Sequence, residues 1–281
     1  MEMKTYTETL IRVSEEKSVK NEDDYIGEDG LIYCGKCHTR KQYRLVNGGK
    51  EYVVPVLCKC GTEQRDREEA EFKRQERMAE IKRRKAACIH DSSLLYATFE
   101  NDDGTVPMMR AARKYVDTWK IRKANNDGLL LYGEVGTGKT FFAGCIANAL
   151  IEQGVSVLMT NFAKILNSVT GMYSEERNNF IASLMRYNLL IIDDLGIERN
   201  SEFALEQIYN IIDERYKTRL PLIVTTNLSL KSMENPKDVA HQRIYDRVLS
   251  MCTPVRFVGT SHRKMDAMKK HKALADLFEE E

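Results

Sequence analysis

The chain has 281 residues, 42% of them hydrophobic, and 43 lysines and arginines nearly cancel 42 acids to leave a formal net charge of +1. That length supplies core for one large domain or for a mid-sized one with an appendage, and the balanced charge excludes a global field drawing the protein onto nucleic acid or membrane. The N-terminal stretch lacks the apolar core of a signal peptide and no run is long enough to span a bilayer, which points to a cytoplasmic protein without membrane contact.

Residues 1–30 read as a polar tail with acidic pieces (Glu15, Glu16, Glu22, Asp23, Asp24), either helical around Glu8 to Glu16 or disordered. Its role is that of a partner-binding tail or of a solvated terminus. Residues 31–62 hold four of the seven cysteines: Cys34 and Cys37 as C-x-x-C, Cys58 and Cys60 as a tighter C-x-C. Between them Asn47-Gly48-Gly49 separates two strand-like runs, 42–46 and 51–57, so a β-hairpin would bring the two pairs together at its base. Four thiolates there suit tetrahedral Zn²⁺, and a module this small needs a metal to fold. Two disulfides or unpaired buried thiols are the other readings, and His38 is the alternative ligand. Lys36, Arg40, Lys41 and Arg44 with Tyr33 and Tyr43 make a basic, aromatic patch that suits single-stranded nucleic acid or simply a solvated face.

Residues 63–91 are dense in Arg, Lys and Glu, with Glu69/Lys73 and Glu80/Arg84 at i,i+4 spacing, and predict an exposed linker helix. Its basic end, Lys82 to Lys85, reads chiefly as a solvated face, and Cys88 and His90 as structural residues. From Ser92 to the end at 281 the character changes. After a helix from about Pro107 to Lys123, strands at 129–132, 155–160, 189–193, 222–226 and 255–258 alternate with helices at 139–153, 162–169, 175–185, 202–219 and 238–251. This alternation predicts an α/β domain with a parallel sheet covered on both faces and ligands at the carboxyl ends of its strands.

The segment LLLYGEVGTGKT carries the spacing G-x-x-x-x-G-K-T after an apolar strand and before an amphipathic helix (Phe141, Phe142, Cys145, Ile146, Ala149, Leu150). That is the context of a phosphate-binding loop. Gly133, Glu134, Val135, Gly136, Thr137 and Gly138 would wrap backbone N–H groups around a phosphate, Lys139 would reach the β- and γ-phosphates, and Thr140 would hold Mg²⁺. LLIIDD then ends a buried strand in paired carboxylates, Asp193 for the metal and Asp194 for the attacking water. Asp194 is a methylene shorter than the Glu of many hydrolytic ATPases, which suits slow hydrolysis and switch-like use of ATP. LIVTTN places Asn227 at another strand end, where it would contact the water or the γ-phosphate, or merely form a turn.

GEVGTGKT, IIDDLG, IVTTN, RIYDR (243–247) and GTSHR (259–263), in this order, resemble the AAA+ ATPases. More narrowly the chain resembles the bacterial and phage helicase loaders of the DnaC/DnaI type and their IstB-like transposition relatives. The resemblance covers about 92–264; the Cys-rich module and charged helix also resemble the Cys-bearing loaders. It implies an AAA+ P-loop domain behind a small zinc module and linker helix, Asn227 as sensor 1, Arg247 as arginine finger with Arg243 assisting, and Arg263 as sensor 2. The implied function is an ATP-dependent loader that self-associates through its AAA+ domain and places the replicative DNA helicase on single-stranded DNA. The alternatives are a transposition regulator that forms filaments on duplex DNA, and an adaptor that binds ATP without turning it over.

Overall fold

The computed structural model describes residues 21–104, 106, 108–196, 201–236, 238–259, 261–264, 267–268 and 270–271. The expected helix at 8–16 and the C-terminal segment LADLFEEE lie outside them. The chain divides into two compact units, one up to Ala79 and one from Glu80 onward.

The first unit begins earlier than the sequence suggests. Strands β1 (Tyr25–Ile26) and β2 (Ile32–Tyr33) pair antiparallel, and Asp24, buried at 6% exposure, accepts from the Lys41 ammonium at 2.5 Å and from the backbone of Asn21 and Gly35. The tail expected through residue 30 therefore contributes its last ten residues, 21–30, to this unit. Strands β3 (Gln42–Asn47) and β4 (Lys50–Pro55) form the predicted hairpin. Its two-residue loop puts Gly48 at φ 58° and Gly49 at φ 79°, a left-handed pair that only a turn of this composition adopts cheaply.

Helix α1 (Lys59–Cys88) starts inside the cysteine cluster, not after it, so the boundary expected at 62/63 falls within the helix. No α1 residue is buried, and its i,i+4 pairs Glu69–Lys73 and Glu80–Arg84 close at 2.6 and 2.7 Å along its exposed surface.

In the second unit α2 (Met109–Asp117) and α3 (Trp119–Asn125) replace the single helix expected over 107–123. The break is at Thr118, whose hydroxyl donates back to the Lys114 carbonyl at 2.7 Å. The elements that follow are β5 (Gly128–Gly133), α4 (Lys139–Glu152), β6 (Val157–Asn161), α5 (Phe162–Val169), α6 (Ser174–Leu184), β7 (Leu189–Leu195), α7 (Glu202–Thr218), β8 (Leu222–Thr226), α8 (Leu230–Glu234), α9 (Val239–Met251) and β9 (Cys252–Phe257).

The predicted parallel sheet has five strands in the order β6-β7-β8-β5-β9. Because side chains alternate along each strand, Leu131, Leu189, Ile191 and Ile223 pack with Phe142 and Ile146 of α4 on one face. Leu130, Leu190, Ile192 and Val224 pack with Ile208, Ile211 and Val248 of α7 and α9 on the other. Both faces are covered, which explains the near-continuous apolar strand runs. No helix of the described residues is long and apolar enough to cross a membrane.

Candidate nucleotide site and cysteine cluster

The carboxyl ends of β5, β7 and β8 open on a cleft of about 630 Å³. Lys139, Thr140, Asp193, Asp194, Asn227 and Arg263 all line it. At Gly133 and Gly136 the loop between β5 and α4 approaches other parts of the chain so closely that a side chain has no room. Gly136 has φ 85°, and a Cβ there would lie 2.1 Å from the Ser261 hydroxyl, while its carbonyl accepts from the His262 amide at 2.9 Å. That contact is how Arg263, distant in sequence, reaches the cleft.

Lys139 is buried, and its ammonium donates to the carbonyls of Gly133 (2.8 Å) and Glu134 (2.7 Å) and to Asn227 Oδ1 (2.9 Å). Burial pulls it below the usual lysine pKa against the pull of Asp194 and Asp193. Thr140 Oγ1 donates to Asp193 Oδ1 at 2.9 Å, and Thr225 Oγ1 donates to the same oxygen at 2.6 Å. Thr225 also accepts from the Asp194 amide at 2.9 Å.

Successive strand residues ordinarily face opposite ways, yet both aspartates line one cleft. The pairing of β7 with β8 slips between Ile192 and Leu195, and Asp194 takes φ 59°. This bulge turns both carboxylates the same way. Burial pushes the Asp193 carboxyl above its ordinary value, and the charge of Asp194 adds to the push, although Thr225 and Thr140 donate to it. A hydroxyl and a strained carboxylate pair beside a lysine is a donor set that a divalent cation and a phosphate would relieve.

Arg247 is not among the residues lining this cleft; its Nε donates to Asp213 Oδ1 at 2.5 Å. Arg243 is exposed. Sequence reasoning missed Thr225, the side chain that ties the aspartate pair to β8. Its only signal was a pair of threonines ending an otherwise apolar strand. Asp91, Asn101, Asp103, Val106 and Asn161, which also line the cleft, carry no motif at all.

In the first unit the Sγ atoms of Cys34, Cys37, Cys58 and Cys60 all lie within 4.8 Å of one another, with Cys34–Cys60 at 3.5 Å and Cys58–Cys60 at 3.4 Å. Tetrahedral zinc with Zn–S bonds of about 2.3 Å sets its sulfurs about 3.8 Å apart, so the four are placed to hold a metal. All are free thiols, against the disulfide reading. The Thr39 hydroxyl and neighbouring donors bring the Cys37 thiol down to about 5, while the sulfurs of Cys58, Cys34 and Cys37 push Cys60 up to about 12. Four sulfurs this close form a donor set that could hold a metal ion.

His38 does not join them; it sits at φ 54° with its ring 5.8 Å from that of Tyr25. The neighbouring basic patch is largely spent inside the unit. Lys41 pairs with Asp24, Arg40 with Asp29 and the Tyr33 hydroxyl, and Arg44 with the Asp29 carbonyl.

A family model for IstB-like ATP binding proteins matches residues 50–272. The chain belongs to the IstB-like ATP-binding family. The chain thus carries an ATP-binding P-loop domain. Among curated relatives, this IstB-like chain is 28% identical over 159 residues to the replicative helicase loader DnaC of Buchnera aphidicola subsp. Schizaphis graminum (strain Sg), covering 54% of this chain and 62% of that protein. It is 28% identical over 188 residues to the replicative helicase loader DnaI of Bacillus subtilis (strain 168), covering 60% of this chain and 59% of that protein. The chain therefore spans about three fifths of the length of these relatives. The crystal structure of DnaI aligns with a TM-score of 0.49 at 25% identity, covering 61% of this chain and 93% of that one.

Proposed function

We propose that this protein is an ATP-dependent loader that binds the replicative DNA helicase and helps place it on single-stranded DNA, using ATP binding and slow hydrolysis as a switch. The observation that carries the reading is the meeting of Lys139, Thr140, Asp193, Asp194, Asn227 and Arg263 in one cleft while Arg247 stays outside it. The relatives named as helicase loaders give that cleft its biological setting.

In this reading the backbone of residues 133–138 and the Lys139 ammonium bind the phosphates, exchanging the carbonyls that now hold the lysine. Mg²⁺ would be held by Thr140 and Asp193, and when bound it neutralises charge on the phosphates. Asp194 accepts the proton of the attacking water, Asn227 orients that water, and Arg263 pairs with the γ-phosphate of its own chain. Arg247 completes the site of a second copy, so hydrolysis requires self-association through the AAA+ domain. The four cysteines hold Zn²⁺, and the unit they staple grips the helicase. For single-stranded DNA, Tyr173, 82% exposed in the turn between α5 and α6, offers an aromatic face on which a base can stack. All of this takes place in the cytoplasm.

A transposition ATPase is the second reading, resting on the resemblance to the IstB-like transposition relatives. Capture from native cell extract with ATP and Mg²⁺, using the intact protein beside a Cys34→Ser/Cys37→Ser variant, separates the two. Recovery of a hexameric replicative helicase by the intact protein alone supports the loader and assigns the cysteine unit its role. Recovery of a transposase, or of no helicase under any nucleotide condition, overturns it.

A further inference from the structure

Arg247 is held by one edge only. Its Nε donates to Asp213 Oδ1 at 2.5 Å, while its terminal amino groups have no hydrogen-bond partner among the described residues. The stem and guanidinium lie against two rings of α7, Tyr209 at 5.0 Å and Tyr216 at 6.0 Å from Cζ. Asp213 is fixed in turn, because its other oxygen accepts from Lys217 one turn along α7 at 2.8 Å, and Lys217 also pairs with Glu214 at 2.8 Å. The Asp213 side chain is 14% exposed and that of Arg247 27%. Arg243, one turn earlier on α9, is exposed and has no such grip.

An arginine is rotamer-rich, and ordering one at the moment of assembly is unfavourable. A carboxylate on Nε settles that order beforehand and leaves the two-pronged outer edge free for phosphate oxygens. We infer that Asp213 is the positioning residue for Arg247: it grips Nε so that the terminal amino groups are presented to the nucleotide phosphate of a second copy of this chain. The inference rests on the reading of Arg247 as an arginine finger. It assigns α7 a part in turnover that none of its residues shows by lining the cleft.

The test is steady-state ATP hydrolysis by the full chain with Mg²⁺ and single-stranded DNA, comparing wild type, Arg247→Ala, Asp213→Ala and Asp213→Asn. Arg247→Ala is expected to lower kcat by about 10²-fold or more. Asp213→Ala should lower kcat about tenfold with KM for ATP within about twofold, because it touches only a group acting in the transition state. Asp213→Asn keeps an oxygen acceptor for Nε and should stay within about threefold of wild type.

Mixing Asp213→Ala with the inactive Lys139→Ala variant is expected to restore turnover above either alone, since each Lys139→Ala subunit brings an intact Asp213–Arg247 pair to its neighbour. A merely structural defect in Asp213→Ala gives no such recovery. Full activity of Asp213→Ala beside a crippled Arg247→Ala overturns the inference and leaves the finger standing, as does a KM effect without a kcat effect or a failure to recover on mixing. An unaffected Arg247→Ala removes both.

Discussion

Lys139 Nζ donates to Asn227 Oδ1 at 2.9 Å, joining the start of α4 to the end of β8 across 88 residues of sequence. The same ammonium is held by the Gly133 and Glu134 carbonyls. The lysine is thus already held at the loop, and a phosphate bound there would exchange existing partners instead of ordering a free side chain.

Thr225 is the test of how the aspartate pair is set. Its hydroxyl donates to Asp193 at 2.6 Å and accepts from the Asp194 amide at 2.9 Å, and it is wholly buried. Thr225→Val keeps the shape and removes both bonds, so we expect kcat for ATP hydrolysis to fall about 10–100-fold, and unfolding free energy to drop by about 1–3 kcal/mol for the unsatisfied partners. Steady-state kinetics and urea denaturation measure the two effects; an unchanged kcat would show that the bulge holds without the threonine.

Asp193 links stability to pH. Burial and the neighbouring Asp194 raise its carboxyl above the ordinary value, so the folded state keeps a proton that the unfolded chain has already released. Stability then falls as pH rises from the ordinary carboxylate range through the raised value, and the penalty persists at neutral pH. Asp193→Asn should raise the nucleotide-free Tm at pH 7 by about 2–4 °C, the shift that ~1 kcal/mol gives a domain of this size, while abolishing Mg²⁺-dependent turnover. The Tm difference should close as the pH is lowered toward the ordinary carboxylate range. A gap that widens on acidification contradicts the sign.

Arg215 braces the sheet from beneath the site. Fully buried on α7, its guanidinium donates to the carbonyls of Tyr187 (2.8 Å), Asn188 (3.1 Å) and Pro221 (2.6 Å), the entries to β7 and β8. Burial lowers its pKa to about 10. Arg215→Ala strands those carbonyls and opens a cavity, for an expected loss of about 3–5 kcal/mol. Arg215→Lys cannot reproduce the fork and should recover less than half of it. Chemical denaturation gives both values, and a loss below about 1 kcal/mol would mean water replaces the guanidinium.

Metal removal addresses the first unit. Elemental analysis of the purified protein should find about one zinc per chain, and none in Cys58→Ser/Cys60→Ser. Stripping the metal should raise amide hydrogen exchange over 32–58 toward the unfolded rate while residues of β5 and β7 stay protected. Protection over 32–58 that survives chelation would assign the cysteines a purely packing role.

Features that depend on local spacing are legible in the chain before it folds. The glycines and Lys139 of the phosphate loop, the apolar strands ending in Asp193 and Asn227, and the hairpin turn at Gly48-Gly49 lie within a few residues of the partners that explain them. So do the two cysteine pairs, whose meeting the hairpin signal between them already predicted. Period and turn chemistry are short-range properties, and they were legible.

Tertiary structure alone decided what depends on strands and helices distant in the chain. That Asp193 and Asp194 face one way follows from a slipped pairing between β7 and β8. That Thr225 serves both of them follows from the same pairing, and that Arg263 reaches the cleft follows from the Gly136 carbonyl taking the His262 amide. The anchoring of Arg247 by Asp213 joins helices 34 residues apart, and the entry of Asp24 into the cysteine unit places a carboxylate that reads as solvated tail. A one-residue slip in register or a single long-range acceptor redirects a side chain entirely, and neither leaves a periodic trace in the sequence.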